Sequence, residues 1–129
     1  MRLRPDVRDL VVKAEEDFAV VETLGRRRRS ALQTAVCFHA QQCAEKYLKA
    51  LLTRDQITFP KTHDLLDLLE LARRSDPATE LLRSYLEYLE PYAVNLRYPG
   101  ECATRTEAQR SMRAITQVRD ALQRLLRCS

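Results

Sequence analysis

Tryptophan is absent from this sequence, and glycine and histidine occur only twice each. So few glycines leave little material for the tight turns and bulges that a sheet of short strands requires. With 45% apolar and 31% charged residues, the composition fits a mostly helical protein better than a β class. No apolar run approaches the roughly 18 residues of a membrane-spanning helix. The opening MRLRPDVRDLVV carries charge throughout and lacks the apolar centre of a secretory signal, so the expected location is the cytoplasm. Cysteines stand at 37, 43, 102 and 128. Cys37 and Cys43 fall in one helical stretch about 240° apart round its axis, which excludes a disulfide or a shared metal between them. Reduced thiols and no bound metal are therefore expected.

What the sequence does contain is helix. The 129 residues suffice for one domain with a normal core, expected over 1–129. Its centre is Ala31 to Leu52, free of Gly and Pro and rich in residues that lose little on entering a helix. Leu32, Ala35, His39, Cys43, Tyr47 and Leu51 form one stripe, which Val36, Ala40, Ala44 and Leu48 widen into a broad apolar face. Such a helix needs neighbours on several sides. His39, Gln41 and Gln42 bring polar atoms to the same region, and any that are buried must be hydrogen-bonded.

The flanking segments supply those neighbours. A first helix is expected from Pro5 or Asp6 to Leu24, burying Leu10, Ala14 and Phe18 and stopped by Gly25. Ser30 is the expected N-cap of the central helix, and Thr62 that of a third helix carrying Leu65, Leu66, Leu68, Leu69 and Ala72. Asp64 and Asp67 read as complements to the third helix's dipole. Pro77 opens a fourth helix towards Arg97, with Leu81, Tyr85, Tyr88 or Leu89, Tyr92 and Leu96 inward and, because of Pro91, a kink or break near Glu87 to Glu90. Thr104 or Thr106 caps the last helix, whose inner positions include Ala108, Met112, Ile115 and Leu122. Four long helices and one short one, joined by short loops, predict an all-α antiparallel up-and-down bundle.

The formal net charge is +4. Residues 1–30 carry eight basic and six acidic side chains, 31–100 eight and nine, and 101–129 six and three. Positive charge thus gathers at the two ends, and Arg26, Arg27, Arg28 and Arg29 stand consecutively between the first two helices. They are a candidate phosphate or acidic-partner contact, against the plainer reading of a solvated linker. Lys49 can reach Glu45 at spacing four as a surface pair.

The block Phe38-His39-Ala40-Gln41-Gln42-Cys43-Ala44-Glu45-Lys46-Tyr47-Leu48-Lys49-Ala50-Leu51, then Thr62-His63-Asp64-Leu65, then Arg97-Tyr98-Pro99, resembles the HEPN domain family. The resemblance implies a bundle that commonly forms homodimers and is often encoded beside a minimal nucleotidyltransferase, in some cases as a toxin–antitoxin pair. Many members are ribonucleases that use an Arg, four to six further residues and a His. That motif is absent, because the nearest arginines before His39 and His63 are Arg29 and Arg54. The subgroup resembled is the nucleotidyltransferase substrate-binding partner.

The resemblance and the residue types together nominate His63, Arg97 and Tyr98 as ligand-binding, with Arg26 to Arg29 as a second surface. An imidazole beside a guanidinium and an aromatic ring is how a phosphate and a base are held. No catalytic residue and no cofactor are assigned, and a nucleotide such as ATP, or RNA, is the candidate ligand. Two alternatives stand beside this reading: a ribonuclease toxin with a divergent site from His63 and Arg97, and a dimeric interaction module without a ligand. His39, on the apolar face, reads as a hydrogen-bonded core or interface residue.

Overall fold

The computed structural model describes residues 3–27, 29–93 and 102–127, and of Ser30 only the backbone. Regular structure among them is entirely helical: α1 (Pro5–Gly25), α2 (Ser30–Arg54), α3 (Leu65–Ser75), α4 (Arg83–Leu89) and α5 (Arg105–Arg127). Short 3-10 turns, Pro77–Leu82 and Glu90–Tyr92, flank α4. The all-α antiparallel bundle expected from the sequence is formed, with α2 as its axis and α1, α5 and α3 packed on different sides of it.

That packing explains why α2 is apolar over so much of its circumference. Val36, Ala40, Cys43, Ala44, Tyr47, Leu48, Leu51 and Leu52 are all completely buried. Val7, Ala14, Phe18 and Val21 of α1, the leucines of α3 and Ile115, Val118 and Leu122 of α5 join them in one core. Small residues at 40, 43 and 44 let the neighbouring backbones close on α2, so dispersion contacts replace side-chain bulk. Gly25 is the last residue of α1 rather than the stop beyond Leu24, and Met112 of α5 lies against it: a Cβ there would come 2.4 Å from Met112 Sδ, so that flexible side chain would have to shift.

The ends of the helices depart from the sequence reading in several places. Arg29, not Ser30, occupies the N-cap position of α2. Asp64 rather than Thr62 caps α3, its carboxylate accepting from the amides of Leu66 (3.0 Å) and Asp67 (3.2 Å). Thr62 acts one step earlier, its hydroxyl accepting from the Asp64 amide at 3.0 Å. Asp64→Ala leaves the Asp67 amide without an acceptor and the Leu66 amide with Glu90 alone, and is expected to cost about 1 kcal/mol, measured by denaturant unfolding. At the other end of α2, Gln56 takes φ 59° while the Ile57 amide bonds to the Leu52 carbonyl at 2.9 Å. This left-handed residue, one beyond the C-cap Asp55, turns the chain back towards the middle of α2.

The fourth helix is composite. Leu82 and Leu86 are buried, one residue on from the expected Leu81 and Tyr85, Leu89 is buried in preference to Tyr88, and Leu81 is 81% exposed rather than inward. Pro91 falls in the second 3-10 turn, where the helix breaks as expected. Leu96 and the segment reaching Arg97 lie outside the described residues. Thr104 caps α5: its hydroxyl accepts from the Glu107 amide at 3.0 Å and Glu107 Oε1 accepts from the Thr104 amide at 2.9 Å.

Candidate functional site

The polar groups of α2 are organised by two carboxylates that the bundle nearly buries. Asp17 projects from α1 at 7% exposure, between Ala14 and Val21 on that helix's inward side. It accepts from His39 Nδ1 at 2.8 Å and from Lys46 Nζ at 2.5 Å. Glu45 of α2 is 4% exposed and accepts from His63 Nδ1 at 2.8 Å and from Lys49 Nζ at 3.0 Å. Each carboxylate thus holds one imidazole and one ammonium. The Glu45–Lys49 pair, anticipated as a surface contact, has its carboxylate in the interior because the loop bearing His63 covers it.

His63 stands on that loop, one residue before the α3 cap. Its side chain is 71% exposed, yet two of its atoms are fixed. Nδ1 bonds to Glu45, and its main-chain carbonyl accepts from Gln41 Nε2 at 2.9 Å. A carboxylate can only accept, so Nδ1 carries the hydrogen and Nε2 is directed away from the Glu45 contact. Gln41 is fully buried and also accepts from Gln42 Nε2 at 2.8 Å, which accounts for both glutamines of the central helix. The exposed imidazole is consequently oriented by the core.

A third network crosses the bundle. Glu15 of α1 takes a bidentate pair of bonds from Arg119 of α5, 2.7 Å each, and accepts from the Tyr47 hydroxyl of α2 at 2.5 Å. Gln123 Nε2 donates to that same hydroxyl at 3.0 Å. The Arg119 bonds hold the Glu15 carboxyl below its ordinary range. Burial pushes the Tyr47 phenol and the Cys43 thiol upward, so both stay protonated and belong to packing, not to nucleophilic chemistry.

The other nominated residues lie elsewhere. Arg26, Arg27 and Arg29 are exposed at the α1–α2 turn, where Arg26 and Arg27 line a hollow of about 300 Å³ with Ala19, Glu22 and Thr23. Gln41, which holds His63, is eleven residues beyond Ser30, about 17 Å along α2. The arginine turn and His63 are therefore two surfaces. Arg28, Arg97 and Tyr98 lie outside the described residues. Tyr88 and Tyr92 are partly buried with ring centroids 6.1 Å apart; the Arg110 guanidinium lies 4.2 Å over Tyr88, and the Tyr92 hydroxyl donates to Glu107. These rings seal α4 against α5.

Sequence reasoning missed Asp17 and Glu45 as organising groups. A carboxylate three residues after Ala14 and four before Val21, on an apolar stripe, was the available signal for Asp17. No group of three His, Cys, Asp or Glu side chains among the described residues could hold a metal ion, and no described helix is long and apolar enough to cross a membrane.

The described residues form an up-and-down bundle with one buried axial helix, whose polar side chains fix an exposed histidine beside the start of α3. The chain belongs to the HEPN domain family, whose profile matches residues 7–125, a helical module associated with nucleotide and RNA functions. No curated protein and no solved structure matches the chain.

Proposed function

We propose that this HEPN domain is the nucleotide- or nucleic-acid-binding partner of a minimal nucleotidyltransferase, acting in the cytoplasm as a homodimer within a toxin–antitoxin type of pair. One observation carries the binding part of the reading. His63 is exposed at its side chain and fixed at two atoms by buried groups, Glu45 and Gln41. A free surface histidine would lose rotamer entropy on meeting a phosphate, whereas this one has lost much of it in folding. Arg97 and Tyr98 are assigned to the same site on the sequence pattern, and Arg26 to Arg29 to a second phosphate-contacting surface. The nucleotidyltransferase partnership and the pairing of two copies rest on the family alone.

Titration with a fluorescent ATP analogue tests the site. Saturable binding is expected, weakened about tenfold or more in His63→Ala, the loss of one hydrogen bond to a charged group. The substituted side chain is exposed, so the fold is expected to persist, as far-ultraviolet circular dichroism would verify. Equal affinity in both proteins would remove His63 from the reading. Co-purification with a minimal nucleotidyltransferase tests the partnership, and the absence of such a gene beside this one, or of a complex with its product, would leave the homodimeric module. RNA degradation by the purified chain, abolished in His63→Ala, would instead establish the ribonuclease alternative.

A further inference from the structure

α3 is short, and each of its ends carries a crowded pair of carboxyl groups. At the start, the Leu66 amide donates both to Asp64 Oδ1 at 3.0 Å and to Glu90 Oε2 at 3.2 Å. One amide hydrogen cannot neutralise two carboxylates, and two anions converging on a single donor repel unless one carries a proton. Glu90 comes from the turn after α4, so this pair joins the start of α3 to the end of α4.

At the far end, Arg54 of α2 serves two carboxyls at once, Nε to Asp55 Oδ1 at 2.9 Å and Nη2 to Asp76 Oδ1 at 3.4 Å. The second oxygens, Asp55 Oδ2 and Asp76 Oδ2, are both buried, and neither has a hydrogen-bond partner. Orphaned buried carboxylate oxygens are costly. A carboxylic O–H on Asp76 donating to Asp55 would satisfy both. The third bond of Arg54, to the Leu125 carbonyl of α5, ties this end of α3 to two helices.

We infer that α3 is clamped at both ends by carboxyl pairs that each share one proton, and that release of these protons loosens α3 and the His63 loop while the other helices hold. The charged groups facing each pair are few. Glu90 meets Asp64, beyond which lie His63 with Glu45 and Lys49 of α2. Asp76 meets Asp55 and Arg54. On α3 itself, Glu70 and Arg73 are engaged with Arg83 and Glu80 across the 3-10 turn.

The titrations fall in an accessible range. Burial, then the neighbouring Asp64, pushes Glu90 up to about 7. Burial, then Asp55, pushes Asp76 up to about 6. Asp64 moves down because Glu90 donates to it, and Asp55, despite its burial, moves down through bonds from Asp76 and Arg54. The folded state therefore keeps two protons that the unfolded chain releases near the ordinary carboxyl values. Their contribution is complete in acid and disappears as pH rises through about 6 and about 7. The lowered partners act with the opposite sign, at more acid pH, so between pH 5 and 8 the net change is loss of the clamp. Leu65, Leu68, Leu69 and Ala72 remain in the core, which makes the loosening local. Control over His63 as a phosphate contact rests on the function proposed above; the clamp does not.

Native-state hydrogen exchange, read as protection factors corrected for intrinsic rates, tests this without any ligand. Between about pH 5.5 and about pH 8, α3 amides are expected to lose protection about tenfold or more while α1 and α2 amides stay within about twofold. In a Glu90→Gln, Asp76→Asn double variant, whose side chains retain donor and acceptor but do not titrate, α3 protection is expected to be independent of pH. The single variants remove the dependence at one end each, around Leu66 or around Asp76, should the double variant fold poorly. An α3 whose protection tracks the other helices, or that falls equally in the variants, would overturn the clamp.

Discussion

Asp17→Ala is expected to lower stability by about 3 kcal/mol, seen as a fall of roughly 10 °C in Tm. Asp17 accepts from both His39 and Lys46 while only 7% exposed, so its removal leaves two donors of α2 facing an apolar seam with α1. Both donors are partly exposed, at 31% and 27% of their side chains, and can recover some hydration. That recovery keeps the cost at the lower edge of the roughly 3–5 kcal/mol at which fully buried charges are orphaned. Asp17→Asn retains the shape and one acceptor and should lose about half as much. A double-mutant cycle with Lys46→Met isolates the ion pair, and a coupling energy near zero would show that the network is incidental to stability.

Tyr47→Ala is expected to cost about 4 kcal/mol, the largest loss of any change considered for this fold. Its ring is completely buried at the centre of α2, and its hydroxyl joins α1 through Glu15 to α5 through Gln123. Truncation opens a cavity among three helices that cannot all close on it. Tyr47→Phe separates the two contributions. It keeps the ring but leaves Glu15 and Gln123 each one partner short, and about 1 kcal/mol is expected. Glu15 retains its bidentate Arg119 bonds in that variant, so a loss as large as that of alanine would mean that the hydroxyl, not packing, dominates. Urea unfolding of the three proteins decides between them.

The axial helix was legible because its pattern is local. A run without Gly or Pro, with apolar residues on most of its circumference, has few ways to be stable except inside a bundle. For the cap of α5 the sequence offered Thr104 or Thr106, and the reciprocal bonds between Thr104 and Glu107 chose the first. Leu81 was misplaced for the converse reason. Leu81 and Leu82 are adjacent apolar residues where the stripe begins, and only packing against the core chose Leu82, with Leu86 and Leu89, for burial. Thr62 and Asp64 were both capable caps, and only the backbone path set by the left-handed Gln56 and the returning loop chose Asp64.

The candidate site divides in the same way. Composition and short-range spacing alone determined that this chain is an all-helical bundle organised on Ala31 to Leu52, since helix propensity and the burial of an amphipathic face act over a few residues. The resemblance to the HEPN family, together with residue type, singled out His63. What only the tertiary structure decided is that Glu45 and Gln41 hold that histidine, that Asp17 serves His39 and Lys46, and that the arginine turn is a separate surface. Those partners are 18 to 29 residues apart in sequence. Hydrogen bonds and charge pairing depend on distances of about 3 Å between side chains, which are set when α1, α2 and the loop before α3 close on one another and not by any local pattern.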